Sequence, residues 1–233
     1  ILPHALDRAK KVLCVSKWTL NKLSSRFPKT AHKLVYFPHG WEKEKGGFSQ
    51  KKPCFTRKKK VLLSVSRYEK YKRFSFLFEI LRLSQSDYCL DLVTDKKGAS
   101  YAQAYASDLI NAKSLRVHEA CSQKNLEHLF SASDLYVQPS LYEGFSFPAQ
   151  KAVLFSLPVV FTKGHGTDEV LQKGLGLSLL PSEKPSAWLG GIKKALFLKE
   201  KKDFYSEKDT YLLSCPSWLD SAKKLLEIYR TID

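Results

Sequence analysis

The chain has 233 residues, of which 43% are hydrophobic and 12% aromatic, so it can bury a sizeable core and is not disordered throughout. Lys and Arg outnumber Asp and Glu by 39 to 23, which gives a net charge of +16. This excess favours an anionic partner, such as a phosphorylated substrate, a membrane surface or nucleic acid, although a solvated basic surface is an equal alternative. No apolar run approaches the ~20 residues that a membrane-spanning helix needs.

The five cysteines contain no Cys-x-x-Cys pair and are odd in number. This pattern favours neither a structural zinc site nor a disulfide framework, and it predicts a reducing, cytoplasmic setting. The chain starts at Ile1 without a methionine, so we expect a fragment or a processed piece, in which a missing targeting segment proves little.

The first forty residues predict a strand over 12–16, a helix over 19–26 and a strand over 34–37. Residues 41–60 then change in composition. Eight lysines and arginines, a Gly-Gly pair and a proline predict a basic linker there.

From residue 61 onward, short β-rich runs alternate with helical patterns. Strands are predicted at 61–65, 90–93, 115–118, 135–137 and 158–161, and helices at 74–83, 101–110, 126–132 and 147–155. A last amphipathic helix is predicted over 218–232. This alternation is typical of an α/β fold with a doubly wound, Rossmann-like parallel sheet, in which ligands bind beyond the carboxyl ends of the strands.

The segment from Ser140 to Pro148 is the most informative stretch, because it places a carboxylate, a glycine and a helix start together. Pro148 suits the first turn of a helix, where its missing N–H costs nothing. The free amides of Phe145, Ser146 and Phe147 would attract phosphate at that helix end. Glu143 would repel phosphate, so we expect it to accept hydrogen bonds from a neutral polyol such as a sugar.

In their order along the chain, these segments resemble the C-terminal half of a GT-B glycosyltransferase of the retaining family 4 type, the glycosyl transferases group 1. The matching segments are 61–67 with Lys72, 129–140, 143–148 and 157–160, with 9–16 and 33–40 resembling the end of the N-terminal domain. The resemblance implies four regions: the end of an acceptor-side domain (1–40), the basic linker (41–60), a nucleotide-sugar-binding domain (61–215) and a crossing helix (216–233).

The resemblance also implies roles for matched positions. Arg67 and Lys72 would neutralise the donor diphosphate, the region of Gly144, Phe145 and Ser146 would hold it, and Glu143 would be the catalytic residue that contacts the sugar. Because protein cations balance the diphosphate, we expect no metal and no cofactor beyond a donor of the UDP-sugar or GDP-sugar type. For Arg67 and Lys72 the alternative is an exposed basic pair, and for Glu143 a carboxylate that caps the helix.

The chain departs from the family at Lys151. The family has a second glutamate there, which accepts both ribose hydroxyls of the nucleotide, and lysine has no acceptor. We expect Lys151 to face the same cleft as Glu143. Three interpretations stay open: the nucleotide is held differently, the donor carries extra negative charge, or the domain has lost donor binding. Ser66 replaces a usual glycine, and a Gly-x-Gly turn is missing after 90–93.

The main hypothesis is transfer of a hexose from a nucleotide-diphosphate sugar to a glycan or lipid-linked acceptor, with retention, in cell-envelope glycan synthesis. It allows peripheral binding to the inner face of an anionic membrane. The expected acceptor domain is largely absent from the chain. Alternatives are a non-catalytic partner subunit or binding module, favoured by Lys151, and another enzyme of this fold, such as a sugar-nucleotide epimerase. A nucleic-acid binder is not expected, since no recognition motif accompanies the basic run.

Overall fold

The computed structural model describes residues 2–41, 59–171, 174–201 and 203–232. Its strands are β1 (Val12–Cys14), β2 (Leu34–Tyr36), β3 (Lys60–Val65), β4 (Tyr88–Thr94), β5 (Leu115–Glu119), β6 (Leu135–Gln138), β7 (Val159–Thr162) and β8 (Gly176–Leu179). Its α-helices are α1 (Leu2–Arg8), α2 (Lys17–Arg26), α3 (Phe74–Leu83), α4 (Lys96–Tyr105), α5 (Ser107–Asn111), α6 (Gln123–Ala132), α7 (Phe147–Leu154), α8 (Thr167–Val170), α9 (Pro185–Leu196), α10 (Asp203–Ser214) and α11 (Trp218–Arg230). Residues 42–58, most of the predicted linker, lie outside the described residues.

Six parallel strands form one sheet in the order β5-β4-β3-β6-β7-β8, which confirms the predicted fold class. The chain runs outward from β3 to β5, returns to the other side of β3 with β6, and continues to β8. Strand order therefore reverses between β3 and β6. In open parallel sheets, the carboxyl ends of the strands beside such a reversal form a crevice.

Both faces of the sheet are covered, because neighbouring residues of each strand point to opposite sides. Leu62 packs with helices α3 and α9 on one face, where Phe74 and Trp188 are fully buried. Leu63 packs on the other face with α7, where Val153 is fully buried. This burial on both faces explains why the central strands read as continuous apolar runs.

The bounds of the helix that was predicted over 101–110 are wrong. Asp95 accepts a hydrogen bond from the Gly98 amide (2.9 Å) and begins α4 at Lys96. Gly98 lies inside this helix, where a Cβ would come within 2.1 Å of the Thr94 side chain. Ala106 leaves the helical conformation (φ −144°), so α5 is a separate short helix.

No element was predicted between residues 162 and 217, where the structure has α8, β8, α9 and α10. Glycines weaken the sequence signal of two of these elements. Gly174 precedes β8, an edge strand whose first residue is Gly176. Helix α9 contains Gly190 and Gly191, and each glycine disfavours a helix by about 1 kcal/mol relative to alanine. Burial of one face of α9, including Trp188, outweighs that preference.

Strands β1 and β2 form a separate parallel pair that α11 joins to the main sheet's domain. Lys224 Nζ donates to the Tyr36 carbonyl (2.8 Å), and the Trp41 amide donates to the Pro216 carbonyl (2.8 Å). The apolar residues predicted to share one side of α11 are mostly exposed: Leu219 is 63% exposed and Tyr229 60%. The region boundaries predicted at 40, 60 and 215 stay predictions. Within the described ranges, no helix is both long and apolar enough to span a membrane.

Residues 2–41, here called the first unit, are connected to the large domain by Glu169, which lies at the start of helix α2. Its carboxylate accepts hydrogen bonds from the amides of Lys17 (2.9 Å) and Trp18 (2.5 Å), the first two residues of α2. These amides have no partner inside the helix, and a negative charge is favourable at this end.

We predict that Glu169→Ala lowers the free energy of unfolding by about 1–2 kcal/mol, because two amides at a helix start lose their acceptor. Urea unfolding followed by tryptophan fluorescence measures the change. Glu227→Ala is the control, since this side chain on α11 is exposed and makes no hydrogen bond or ion pair within the described part of the chain. An equal change in the two variants would contradict the capping role.

Candidate active site

A cleft of about 420 Å³ lies at the carboxyl ends of β3 and β6, where the strand order reverses. The loop after β3 supplies Arg67 and Lys72, and the loop after β6 supplies Glu143. Arg67 is exposed and has no hydrogen bond or ion pair with any described residue. The cleft therefore holds one cation that is free to meet a ligand.

Lys72 and Glu143 form an ion pair across the cleft, with Nζ 2.5 Å from Oε1. The two side chains are only 15% and 13% exposed, so water screens this pair less than it screens a surface pair. Lys72 and Glu143, which are predicted to bind diphosphate and sugar, thus lie together, and each neutralises the charge of the other.

Two further contacts hold the loops of the cleft together. The Leu141 amide donates to the Tyr71 carbonyl (2.8 Å), and the rings of Tyr71 and Tyr142 stack with centroids 5.0 Å apart. Lys72 Nζ also lies 5.1 Å from the centroid of the Tyr71 ring. These contacts fix where the Lys72–Glu143 pair stands relative to both strands.

Helix α7 begins beside this pair. Ser146 is its N-cap, and its hydroxyl oxygen accepts from the Ala149 amide (3.3 Å) while donating to Gln138 Oε1 (2.5 Å). The first backbone bond of the helix runs from the Gln150 amide to the Ser146 carbonyl (3.0 Å), so the preceding amides are not used by the helix. Phe145, Ser146 and Phe147 line the cleft, as predicted for an anion-binding helix start.

Gly144 does not line the cleft. A Cβ at this position would make ordinary contacts with Val15 and Thr19 at 3.5 Å, on the side of the first unit. The glycine that the local geometry requires is Gly166, where a Cβ would come within 2.0 Å of the Gly144 carbonyl oxygen. The Gly166 amide also donates to the Glu143 carbonyl (2.8 Å). The sequence signal for this role is the pair of glycines that flanks His165 just after β7.

His165 is buried behind the Glu143 loop, at 1% exposure. Burial lowers the pKa of His165. Its Nδ1 accepts from the Thr167 amide (3.3 Å). Burial also raises the pKa of Tyr136, whose hydroxyl donates to the Val65 carbonyl (3.3 Å) at the floor of the cleft.

Lys151 does not line the cleft. The prediction that it faces the same cleft as Glu143 is therefore wrong. It lines an adjoining hollow of about 280 Å³, which shares Val65, Phe147 and Pro148 with the cleft. Lys151 Nζ lies 3.3 Å from Oε1 of Glu127 on α6. The two residues are 24 positions apart, and no local pattern marks Glu127 as its partner.

An aromatic cluster joins the first unit to the start of α7. The His39 ring lies 5.2 Å from the Phe145 centroid and 4.6 Å from that of Phe147. Burial lowers the pKa of His39. In the described part of the chain, no group of three or more His, Cys, Asp or Glu side chains is placed to hold a metal ion.

The geometry can be compared with known proteins. The family model of glycosyl transferases group 1 matches residues 48–210, well over half of the sequence. The chain belongs to this family. A D-inositol 3-phosphate glycosyltransferase from Corynebacterium urealyticum is 25% identical over 127 residues, which are 54% of this chain and 30% of that protein. The chain thus matches less than a third of this family member.

Solved structures show the same fold. A glycosyltransferase from Rickettsia africae has a TM-score of 0.76 at 20% identity, covering 96% of this chain and 63% of its own. Anabaena HepE in complex with UDP-glucose has a TM-score of 0.72 at 16% identity, covering 99% of this chain and 67% of its own. The predicted resemblance to the C-terminal half of a GT-B group 1 glycosyltransferase is confirmed.

We predict that Gly166→Ala lowers the free energy of unfolding by about 1–3 kcal/mol, because its Cβ must push back the Gly144 backbone. The displaced loop carries Glu143, so the Lys72–Glu143 pair should also lengthen in a crystal structure of the variant. Thermal unfolding measures the loss of stability.

Gly190→Ala is the matched control for Gly166→Ala. Gly190 lies inside α9 with open space around its Cα, so its variant should be as stable as the original or more stable by about 0.4–1 kcal/mol. A Gly166→Ala protein as stable as Gly190→Ala would contradict the close approach of the two loops.

Proposed function

We propose that the protein transfers a hexose from a nucleotide-diphosphate sugar to a glycan or lipid-linked acceptor, with retention of configuration. The observation that carries this proposal is the free Arg67 beside Lys72 and the start of α7, at the strand reversal of the sheet. These groups present positive charge and unpaired amides toward one space. A diphosphate is the ligand class that such a space suits best.

In this reaction, the bond between the sugar's anomeric carbon and the diphosphate oxygen breaks. Negative charge develops on the leaving diphosphate, and fixed cations and amide dipoles stabilise that charge more than they stabilise the bound donor. Arg67, Lys72 and the amides near Phe145 would do this. The acceptor hydroxyl forms the new bond to the anomeric carbon, and its proton passes to an oxygen of the leaving diphosphate.

Glu143 would accept hydrogen bonds from hydroxyls of the donor sugar. In the ligand-free cleft its Oε1 is bound to Lys72. A bound diphosphate would draw Lys72 toward phosphate, and sugar hydroxyls would then replace the ammonium as donors to Glu143. This exchange gives both charged residues a partner in each state, which a mostly buried ion requires.

We propose a donor of the UDP-sugar or GDP-sugar type, used without a metal or another cofactor. HepE is described in complex with UDP-glucose, and the corynebacterial relative is named as a D-inositol 3-phosphate glycosyltransferase. We place the protein in the cytoplasm, at the inner face of an anionic membrane that its +16 charge would favour, in cell-envelope glycan synthesis. The part of the relatives that this chain does not span would supply the acceptor contacts.

One observation favours a second function, that of a non-catalytic binding module or partner subunit. Lys151 stands where the resemblance implies a carboxylate for the ribose, and it is already paired with Glu127. A domain that has lost its donor would bind no sugar nucleotide. Nucleotide binding therefore separates the two functions.

We predict that the chain binds UDP or GDP, and that Arg67→Ala weakens this binding about 10- to 100-fold, the value of a hydrogen bond to a charged group. Affinity for the uncharged nucleoside, uridine or guanosine, should not change, because it has no phosphate for Arg67 to contact. Isothermal titration calorimetry measures both ligands.

Arg82→Ala is the control for Arg67→Ala. Arg82 is an exposed arginine whose guanidinium pairs with Asp108 away from the cleft, so its removal tests the general effect of lost positive charge. Equal losses in both variants would mean that Arg67 acts only through net charge. No binding of UDP or GDP by the unaltered chain would support the non-catalytic function instead.

A further inference from the structure

The hollow beside the cleft has the size and walls of a site for a flat, partly apolar group. Most of its lining is apolar, with aromatic rings from Trp41, Phe147 and Trp218. It opens beside Val65 and Pro148, which also line the cleft, so a ligand held in the cleft can extend into it without leaving the surface. A diphosphate in the cleft would place its nucleoside at this opening.

One edge of the hollow is polar, because Gln123 of α6 and Lys151 line it. Glu127 of α6 lies next to this edge and contacts both side chains. Glu127 Oε1 accepts from Gln123 Nε2 (2.6 Å) and from Lys151 Nζ (3.3 Å). Both contacts of this carboxylate fall on Oε1, so Oε2 has no partner within the described part of the chain. Glu127 is 33% exposed and Lys151 17%, so a ligand can still reach the carboxylate.

The chemistry of this edge matches a vicinal diol better than a further phosphate. Lys151 is not a free cation, because it is paired with Glu127 and lies 5.9 Å from the centroid of the Phe155 ring. The negative charge of the Glu127 carboxylate would repel a further phosphate at this edge. The free carboxylate oxygen can accept from hydroxyl groups, which an ammonium cannot do.

Building on the proposed function, we infer that Glu127 binds the ribose of the donor nucleotide, accepting the 2′-hydroxyl on Oε2. Lys151 is then a positioning residue, which holds the carboxylate through Oε1 at the edge of the hollow. The acceptor for ribose comes from α6 rather than from α7. The substitution at position 151 is thereby compatible with a working donor site.

Calorimetry with UDP and GDP, each compared with its 2′-deoxy counterpart, tests this inference. The unaltered chain should bind the ribonucleotide about tenfold more tightly than the deoxynucleotide, the value of one hydrogen bond to a charged acceptor. Glu127→Ala should remove that preference, so that the ribonucleotide and the deoxynucleotide bind this variant with equal affinity. Continued binding of the deoxynucleotide shows that the variant keeps its site.

The test depends on the ratio of the affinities for the ribonucleotide and the deoxynucleotide. Loss of a carboxylate changes the net charge of the protein, and this change affects both ligands equally. Glu119→Ala is the matched control, because Glu119 is an exposed carboxylate at the end of β5, and this variant should keep the tenfold ratio. A preference retained in Glu127→Ala, or missing in the unaltered chain, would overturn the role of Glu127 alone. Failure to bind any of the four nucleotides would overturn the proposed function as well.

Discussion

An ion pair between two loops sets the geometry of the cleft, and the other features of the site are arranged around it. Lys72 follows β3 and Glu143 follows β6, so their contact joins the two strands at which the sheet reverses its order. Because both side chains are mostly buried, removing either one would leave a poorly hydrated charge in the cleft. The backbone contact between Leu141 and Tyr71 holds the same two loops and keeps the pair in reach.

Under the proposed function, this pair would let one cleft take a ligand that is anionic at one end and neutral at the other. Arg67 and the α7 amides would bind the negative group, and Glu143 would repel it. Lys72, which lines the same cleft and pairs with Glu143, could neutralise either one. The close approach of Gly166 to the Gly144 carbonyl then fixes the Glu143 side of the cleft, since no side chain fits between these two backbones.

Features with a local signal could be predicted from the sequence. The buried strand ends predicted Arg67 and Glu143 at one edge of the sheet, and Pro148 predicted the start of α7. Features that depend on distant partners could not be predicted. Glu169 accepts from an amide 152 positions away, and Glu127 pairs with a lysine 24 positions away, so neither contact leaves a periodic pattern.

The bounds of α4 and the existence of β8 and α9 were missed for a different reason. In α9, glycines lower the local helix preference, and only burial of Trp188 in the core restores it. The place of Lys151 was misjudged because two helical turns from Glu143 were expected to keep one direction. The residue instead faces α6, where a carboxylate neutralises it.

A crystal structure of the chain with UDP or GDP, whichever binds, would test the central claim most directly. The account predicts that the diphosphate lies at the start of α7, with Arg67 and Lys72 within hydrogen-bond distance of its oxygens and the Lys72–Glu143 contact lengthened. A nucleotide bound elsewhere, or a diphosphate bound while Lys72 keeps its contact with Glu143 and Arg67 points away, would contradict it.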